Sequence, residues 1–471
     1  MQGLKLLLAS SSAIPVLVTG ALAADLPSKK AAPIQYVKIC DAYGVGFFWI
    51  PGSDTCVRVG GYVRAVYEFT PGRAIRSVAT GAVTQVGGDQ DTSGMQIRGR
   101  LELDGRTSSP WGTVQTVIML RGQNTDGINN TGSSWSNFAT SLGPAANGST
   151  SMSMERAFIR FAGLTAGVAT ENFTAMPGTY FGNMWASFSS GVKQLAYTAT
   201  FGNGFSATIA LESRGDFPFN GSTTLASPGQ ANTQPDNGVQ FVGNIRADQS
   251  WGFAQLSGAF GNNSISTNVL SGGSNLLTGN STYSAWALGG TVKINLPMIA
   301  TGDALYLNAT YAHGMLGLIM VNNTSAVDSG SNGRLFGGVL RQDSNLVQVA
   351  GAGTAASPAV LGTTNAWQIG GYFTHYWTPS WRSNIAAGYI RIEPPTVSAG
   401  YATTTLGAAT IWGVQGNLIW SPVKAFDIGV ELQYGQIKQS IQNPSAAFVA
   451  AGRPGLSDNN WGGKLRLDRA F

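Results

Sequence analysis

The sequence holds few of the residues that carry enzyme chemistry. Charged residues make up 11% of its 471 positions, and there are two histidines and two cysteines. A net charge of +5 without a basic block argues against nucleic acid as a partner. Hydrolases need a general base, most often histidine. His313 and His375 share strand parity with apolar neighbours, which puts both on an outer face, and no GxSxG, HExxH or metal-ligand cluster occurs. We therefore expect no enzyme, no metal and no cofactor.

Long hydrophobic runs are also scarce. Lys5 is followed by an apolar stretch from Leu6 to about Val18 and by Ala21-Leu22-Ala23, which is the order of a secretory signal peptide. The stretch is too short for a membrane span, although an ordinary buried helix is the alternative. We expect export after cleavage of residues 1–23, with an extended tail behind them.

The two cysteines, Cys40 and Cys56, flank a segment of glycine and aromatic residues. An isolated pair in an exported chain usually forms a disulfide. A metal or redox site would need CxxC spacing or a nearby histidine, and neither is present. By the chain-entropy estimate, a bridge closing so short a loop adds roughly 3 kcal/mol.

What the sequence does contain is alternation with a period of two. Two stretches show it best, Val57 to Phe69 and Met95 to Arg106. Successive side chains of a strand point to opposite faces, so each stretch has one apolar face and one face of arginines and carboxylates. Lipid outside and water inside a transmembrane barrel explain this pattern better than a soluble sandwich.

Similar stretches recur along the whole chain and predict sixteen strands. They fall at about 57–69, 95–108, 112–121, 153–163, 164–169, 191–203, 204–213, 238–248, 251–261, 282–294, 303–313, 366–377, 381–391, 407–420, 425–437 and 459–471. Seven tight connections rich in Gly, Pro, Asn and Ser alternate with eight long segments. The alternation fits an antiparallel barrel with short periplasmic turns and long extracellular loops, and aromatic residues near strand ends fit the interfacial girdles.

Four segments resemble a known family. They are Lys38 to Arg64 (K-I-C-D-A-Y-G-V-G-F-F-W-I-P-G-S-D-T-C-V-R-V-G-G-Y-V-R), the stretch A-A-D-L-P-S-K-K-A-A-P from Ala23, M-E-R-A-F-I-R-F-A-G-L-T-A-G from Met154, and the terminal Phe471. The first three resemble general-diffusion porins of the alphaproteobacterial, Rhizobiales type, and Phe471 is similar to the assembly signal of outer-membrane proteins.

The resemblance implies a sixteen-stranded barrel in outer-membrane lipid. It also implies a homotrimer that passes small hydrophilic solutes, with a third long loop folded into the barrel. The expected organisation is a signal peptide at 1–23, a periplasmic tail with the disulfide-closed segment at 24–55, and the barrel at 56–471.

Alternation assigns the residues that would line a pore. The set is Arg58, Arg64, Arg98, Arg100, Arg106, Arg156, Arg160, Glu68, Glu102 and Asp104. The third long loop, about Thr170 to Ser190, would supply the constriction through Glu171, Phe173, Pro177 and Tyr180. Arginine stays charged at any relevant pH, and Glu171 is the only charged residue of that loop.

Two hypotheses for selectivity follow from these residues. A basic constriction with a weak anion preference is one, and arginines that merely form structural salt bridges are the other. At the level of function, a substrate-specific channel and a surface adhesin that uses the long loops, above all Gly314 to Asn365, remain alternatives to general diffusion.

Overall fold

A computed structural model of the chain describes residues 39–69, 73–76, 83–86, 93–126, 148–176, 191–213, 238–264, 282–319, 346–350, 360–398, 405–442 and 455–471. The predicted signal peptide and residues 24–38 of the tail lie outside these residues. Within the described ranges, no helix is long and apolar enough to cross a membrane.

Sixteen described strands pair antiparallel with their neighbours in chain order, and the last strand pairs with the first to close a barrel. They are β1 Thr55–Phe69, β2 Ser93–Ser109, β3 Gly112–Asp126, β4 Gly148–Phe161, β5 Leu164–Thr170, β6 Gly191–Gly202, β7 Phe205–Ser213, β8 Val239–Gln249, β9 Gly252–Ser264, β10 Thr282–Asn295, β11 Ala304–His313, β12 Asn365–Thr378, β13 Trp381–Glu393, β14 Thr405–Val423, β15 Phe426–Gln442 and β16 Gly455–Ala470. The predicted sixteen-stranded barrel is confirmed.

The two faces of the strands divide as alternation predicts. On β1 the side chain of Val63 is 57% exposed and that of its neighbour Tyr62 is 8% exposed. On β15 Leu432 is 62% exposed, whereas Glu431 is 1% exposed. A closed sheet pairs the backbone groups of its strands, as lipid requires. Its apolar outer belt then faces hydrocarbon, and its polar side chains face the interior.

Several strands run past their predicted ends. β3 continues to Asp126, β14 begins at Thr405, and β15 continues to Gln442. These extensions are at the extracellular ends of the strands. Main-chain pairing continues there, but lipid no longer imposes an apolar outer face, so the alternation that marks a strand in the sequence fades.

Tight turns close the periplasmic end. At Ala162-Gly163 and at Asn203-Gly204 both central residues have positive φ, 48° and 86° in the first turn and 50° and 80° in the second. Two such residues in a two-residue hairpin connection are the mark of type I′ turns, whose twist matches that of the flanking strands.

Both histidines lie on the outer face, as predicted. Nδ1 of His313 is 2.7 Å from Oδ1 of Asn365, and the His313 ring stacks on Trp286. Nδ1 of His375 is 2.7 Å from Oδ2 of the buried Asp303. The histidines are therefore held among girdle residues rather than in the interior.

The segment before β1 is tied to the barrel by a disulfide. Cys40 and Cys56 are bonded, with their Cα atoms 6.1 Å apart, which confirms the predicted bridge. Phe47 lies between them in sequence and packs into the same buried cluster. A two-residue strand, Phe48–Trp49, pairs with the start of β1.

Two long loops, the ones after β5 and β11, fold into the barrel interior. Residues 171–176 follow β5 and contact inward side chains of β7 to β9, which confirms the inward third loop for its described part. Residues 314–319 follow β11 and are almost fully buried. A short hairpin, Leu346–Ala350 with Val360–Thr363, belongs to the same long loop. The inward course of 314–319 was not predicted from the sequence.

Candidate pore lining and constriction loop

A cavity of about 910 Å³ lies along the inner wall of β1 to β4, β16 and the start of β15. Five arginines line it, Arg64, Arg98, Arg100, Arg121 and Arg156, together with the carboxylates Glu155, Asp427 and Asp468. Five positive charges against three negative ones leave this surface with a charge of +2. We call it the arginine wall.

Carboxylates hold some of these arginines in fixed positions. Asp468 on β16 accepts from Nε of Arg64 at 2.8 Å and also pairs with Arg466. Glu155 on β4 accepts from Arg121 at 2.8 Å, and its other oxygen is 3.7 Å from Arg100. Ion pairs of this kind orient the guanidinium groups towards the cavity.

Arg98 lies among these pairs without a carboxylate of its own among the described residues. Its partners across the sheet are Arg64 on β1 and Gln123 on β3. The ring of Tyr62 sits between two other arginines, with the guanidinium carbons of Arg64 and Arg100 each 4.6 Å from its centroid. Cation–π contacts stabilise guanidinium groups crowded in this way without neutralising them.

A bulge in β4 brings two adjacent residues to the same face. Met119 of β3 is opposite Arg156, but the next residue, Leu120, is opposite Met154. Glu155 is therefore the extra residue, and both Glu155 and Arg156 line the cavity. Such bulges re-aim side chains at functional surfaces.

A second ionic cluster occupies the periplasmic end of the same wall. The buried Asp104 accepts from Nη2 of Arg106 at 2.8 Å and lies 3.6 Å from Arg58. Glu102 is 3.3 Å from Arg58. The Phe47 ring lies under both arginines, with centroid distances of 5.3 and 4.9 Å. The disulfide-held segment thus covers these four predicted residues from below.

Two other predicted residues are separated from the cavity. Arg160 lies near the periplasmic turn, where its guanidinium stacks on Phe158 at 5.2 Å. Glu68 lies at the extracellular end of β1 and is buried 3.8 Å from Nζ of Lys464. Arg160 and Glu68 therefore make structural contacts at the two ends of the arginine wall and do not line the cavity.

The constriction loop is anchored on the opposite side, through Asn172. The backbone N–H and the Nδ2 group of Asn172 both donate to Oε1 of Glu212 at 2.8 Å. Its Nδ2 also donates to Gln194 at 2.7 Å, and its carbonyl accepts from Asn244 at 2.7 Å. The Phe173 ring fills the space over Gly289, where a Cβ atom would be 2.8 Å away. Pro177 and Tyr180 lie outside the described residues.

The Glu171 carboxylate bonds to the backbone of its own loop. It accepts from the backbone N–H of Phe173 at 2.6 Å and of Thr174 at 3.0 Å. Burial, and next the charge of Glu212, raise the pKa of Glu171 to about 8. A second cavity of about 390 Å³, which Arg246 also lines, borders this part of the loop. At neutral pH the described part of the loop therefore opposes the arginine wall with little negative charge.

This raised pKa predicts a pH-dependent selectivity. Between pH 7 and pH 9 Glu171 loses its proton, because its folded-state pKa of about 8 lies inside that window. Its new negative charge interacts with Arg156, so the hypothesis of an anion-preferring constriction predicts that the ratio of anion to cation permeability falls. Reversal potentials in a salt gradient at both pH values measure the change. Glu171→Gln is the matched control and should remove the step, and an equal step in that variant would contradict the assignment.

Sequence reasoning missed Arg121 and Glu155 as members of the arginine wall. Arg121 stood at the predicted end of β3, where the strand in fact continues to Asp126. Glu155 breaks strict alternation at the bulge, and only the paired methionines Met152 and Met154 before it hinted at the change of parity. Glu212, the anchor of the constriction loop, carried no sequence signal beyond its inward position.

Comparison with known proteins agrees with this geometry. Over 222 residues the chain is 34% identical to porin Omp2a of Brucella melitensis. The aligned region covers 46% of this chain and 57% of that protein. It is 33% identical over 264 residues to porin Omp2b of Brucella suis, covering 53% and 64%. The matches thus span little more than half the length of these relatives.

A solved structure shows the same fold. The outer membrane channel DcaP of Acinetobacter baumannii superimposes with a TM-score of 0.59 over 90% of this chain and 99% of that one, at 15% identity. The family described as "Porin subfamily" matches residues 25–460. The barrel and this match place the protein in the bacterial outer membrane and confirm the alphaproteobacterial resemblance, and the chain belongs to the porin subfamily.

Proposed function

We propose that the protein is a passive diffusion channel for small hydrophilic solutes and ions, without a catalytic step. The observation that carries the proposal is the polar cavity of about 910 Å³ along the inner wall of a closed barrel. A water-filled lumen with fixed charges screens solutes by size and by charge. The apolar outer belt, as on Val63 and Leu432, supports a lipid environment around it.

The channel prefers anions in this proposal. The arginine wall carries a surplus of two positive charges, and Glu171, whose pKa is raised to about 8, adds little negative charge to it at neutral pH. Each unit charge near the path contributes about 1 kcal/mol to the energy of an ion 4 Å away in water. Salt screens the interaction beyond about 10 Å at 0.1 M, so the preference is stronger in dilute salt.

The proposed assembly is a homotrimer, as the resemblance to porins implies. Single-channel conductance of the refolded protein tests pore and assembly together. Three equal conductance substates are expected. A single level would contradict the trimer, and the absence of conductance would favour the adhesin.

Liposome swelling over a graded series of sugars separates general diffusion from a substrate-specific channel. A smooth decline of the swelling rate with solute size is the expected result. One solute that enters much faster than its size allows would show specificity instead.

A further inference from the structure

We infer that the start of the sixth extracellular loop is a fixed apolar wedge, which keeps one side of the lumen dry and confines permeation to the arginine wall. The wedge comprises residues 314–319. The inference rests on the proposed channel function, because it concerns the path that a solute takes.

The wedge has the burial of a protein core. Met315, Leu316, Leu318 and Ile319 are 2%, 0%, 2% and 0% exposed. They belong to one continuous cluster with inward-facing apolar residues of β6 to β15. The wall members of that cluster are Val192, Ala196, Ala210, Val242, Ala259, Ala285, Ala287, Ala312, Ala366, Ile390, Ile392, Ala409, Ile411 and Ile437.

Those wall residues do not suit a water-filled lumen. Inward positions of an open pore are polar, but here the cluster members on β6 to β15 are mostly alanine and isoleucine, set between buried polar side chains such as Gln194, Glu212 and Gln368. Small alanines leave room for the larger side chains of the wedge, so wall and wedge pack as two halves of a core. Phe173 of the constriction loop joins the same cluster.

Hydrogen bonds fix the wedge at its base. The Gly314 N–H donates to the Thr364 carbonyl at 2.9 Å, and Nδ2 of the buried Asn263 donates to the Gly314 carbonyl at 2.9 Å. Gly314 has φ +66°, and a Cβ atom there would lie 2.7 Å from Asn263. A tight turn then forms, with N–H groups of Leu318 and Ile319 donating to Met315 and Leu316 at 3.1 and 3.0 Å.

The arginine wall lies outside this dry region. Its cavity is lined by β1 to β4, β16, the ends of β5 and β6, and Asp427 at the start of β15, and no residue of the wedge borders it. Since apolar cavities and cores exclude water, a permeating solute moves in contact with the guanidinium groups. The wedge is in this sense a determinant of selectivity, although it carries no charge.

Thiol labelling tests the inference on the full-length protein, because both native cysteines are in a disulfide. Ser153→Cys places a thiol on the cavity, and Ala287→Cys places one in the buried cluster to which the wedge belongs, with little change in volume. We expect iodoacetamide, a small neutral reagent, to alkylate Ala287→Cys at least about 100-fold more slowly than Ser153→Cys, because a buried thiol reacts only when the structure opens locally. Equal rates would overturn the inference.

A second pair of variants tests whether the wedge is what protects the Ala287→Cys thiol. Adding Leu316→Ala and Leu318→Ala to Ala287→Cys should raise its labelling rate towards that of Ser153→Cys, whereas adding the lipid-facing Leu307→Ala should not. An unchanged rate with the wedge truncated would also overturn the inference. Labelling needs no current, so a barrel that protects Ala287 but never conducts would contradict the channel proposal alone. Heat-modifiable gel mobility shows which variants have folded.

Discussion

Reversing two charges on the arginine wall, Arg98→Glu with Arg156→Glu, is expected to convert the proposed anion preference into a preference for cations. The cavity surface would change from +2 to −2, because each substitution removes one positive charge and adds one negative charge. At about 1 kcal/mol per unit charge at 4 Å in water, the permeability ratio should shift by roughly tenfold or more. Reversal potentials in a gradient of potassium chloride give that ratio directly.

Neutral substitutions grade the effect. Arg98→Ala and Arg100→Ala should each weaken the anion preference, and Arg98→Ala more cleanly, because Arg100 lies beside Glu155 and Glu102. Arg391→Glu on the outer face of β13 is the matched control and should leave the ratio unchanged. If the ratio of anion to cation permeability stays above one in the Arg98→Glu, Arg156→Glu variant, the arginines are structural and do not set selectivity.

Substitution of Gly61 by valine is expected to prevent closure of the barrel. The backbone of Gly61 exchanges hydrogen bonds with Phe471, at 3.0 and 3.3 Å, and the Phe471 ring covers it. A Cβ atom on Gly61 would lie 2.1 Å from the carbonyl oxygen of Arg100. That oxygen belongs to a paired strand and cannot move aside, so the clash separates β1 from its neighbours.

Gly99→Val provides the matched control. Gly99 also lies on the outer face, one strand away, and its Cβ position has no atom within 4 Å. Heat-modifiable gel mobility should show no folded band for Gly61→Val and a normal one for Gly99→Val. A folded Gly61→Val barrel with normal conductance would show that the C-terminal contact is dispensable. Phe471→Ala should have a smaller effect, because it keeps both main-chain bonds.

Most of the barrel could be predicted because lipid imposes a strict rule on each strand. Val57 to Phe69 alternates cleanly, since one face meets hydrocarbon and the other meets water. The ends of β3 and β15 escaped prediction because that rule stops at the membrane surface while main-chain pairing continues. Strand number and orientation follow from turns such as Asn203-Gly204, whose chemistry is local.

The interior was harder to predict because it depends on contacts across the barrel. Parity brings Arg98 and Arg64 to one face, but it does not say that Glu171 bonds its own backbone or that Asn172 meets Glu212. The position of the wedge could not be predicted for a similar reason. Its apolar residues follow β11 at the start of a loop otherwise rich in polar residues, and only the inward alanines of β11 and six other strands show where they pack.

The bulge at Glu155 has a consequence for how such channels diverge. Insertion or deletion of one residue inside a regular strand turns every later side chain to the opposite face. At the bulge, however, loss of Glu155 would restore plain alternation, leaving Met154 towards lipid and Arg156 towards the lumen. One length change is thus tolerated at this position, and it alters the charge of the pore. Deletion of Glu155 is therefore expected to change the ionic character of the pore without a compensating change elsewhere in the sheet.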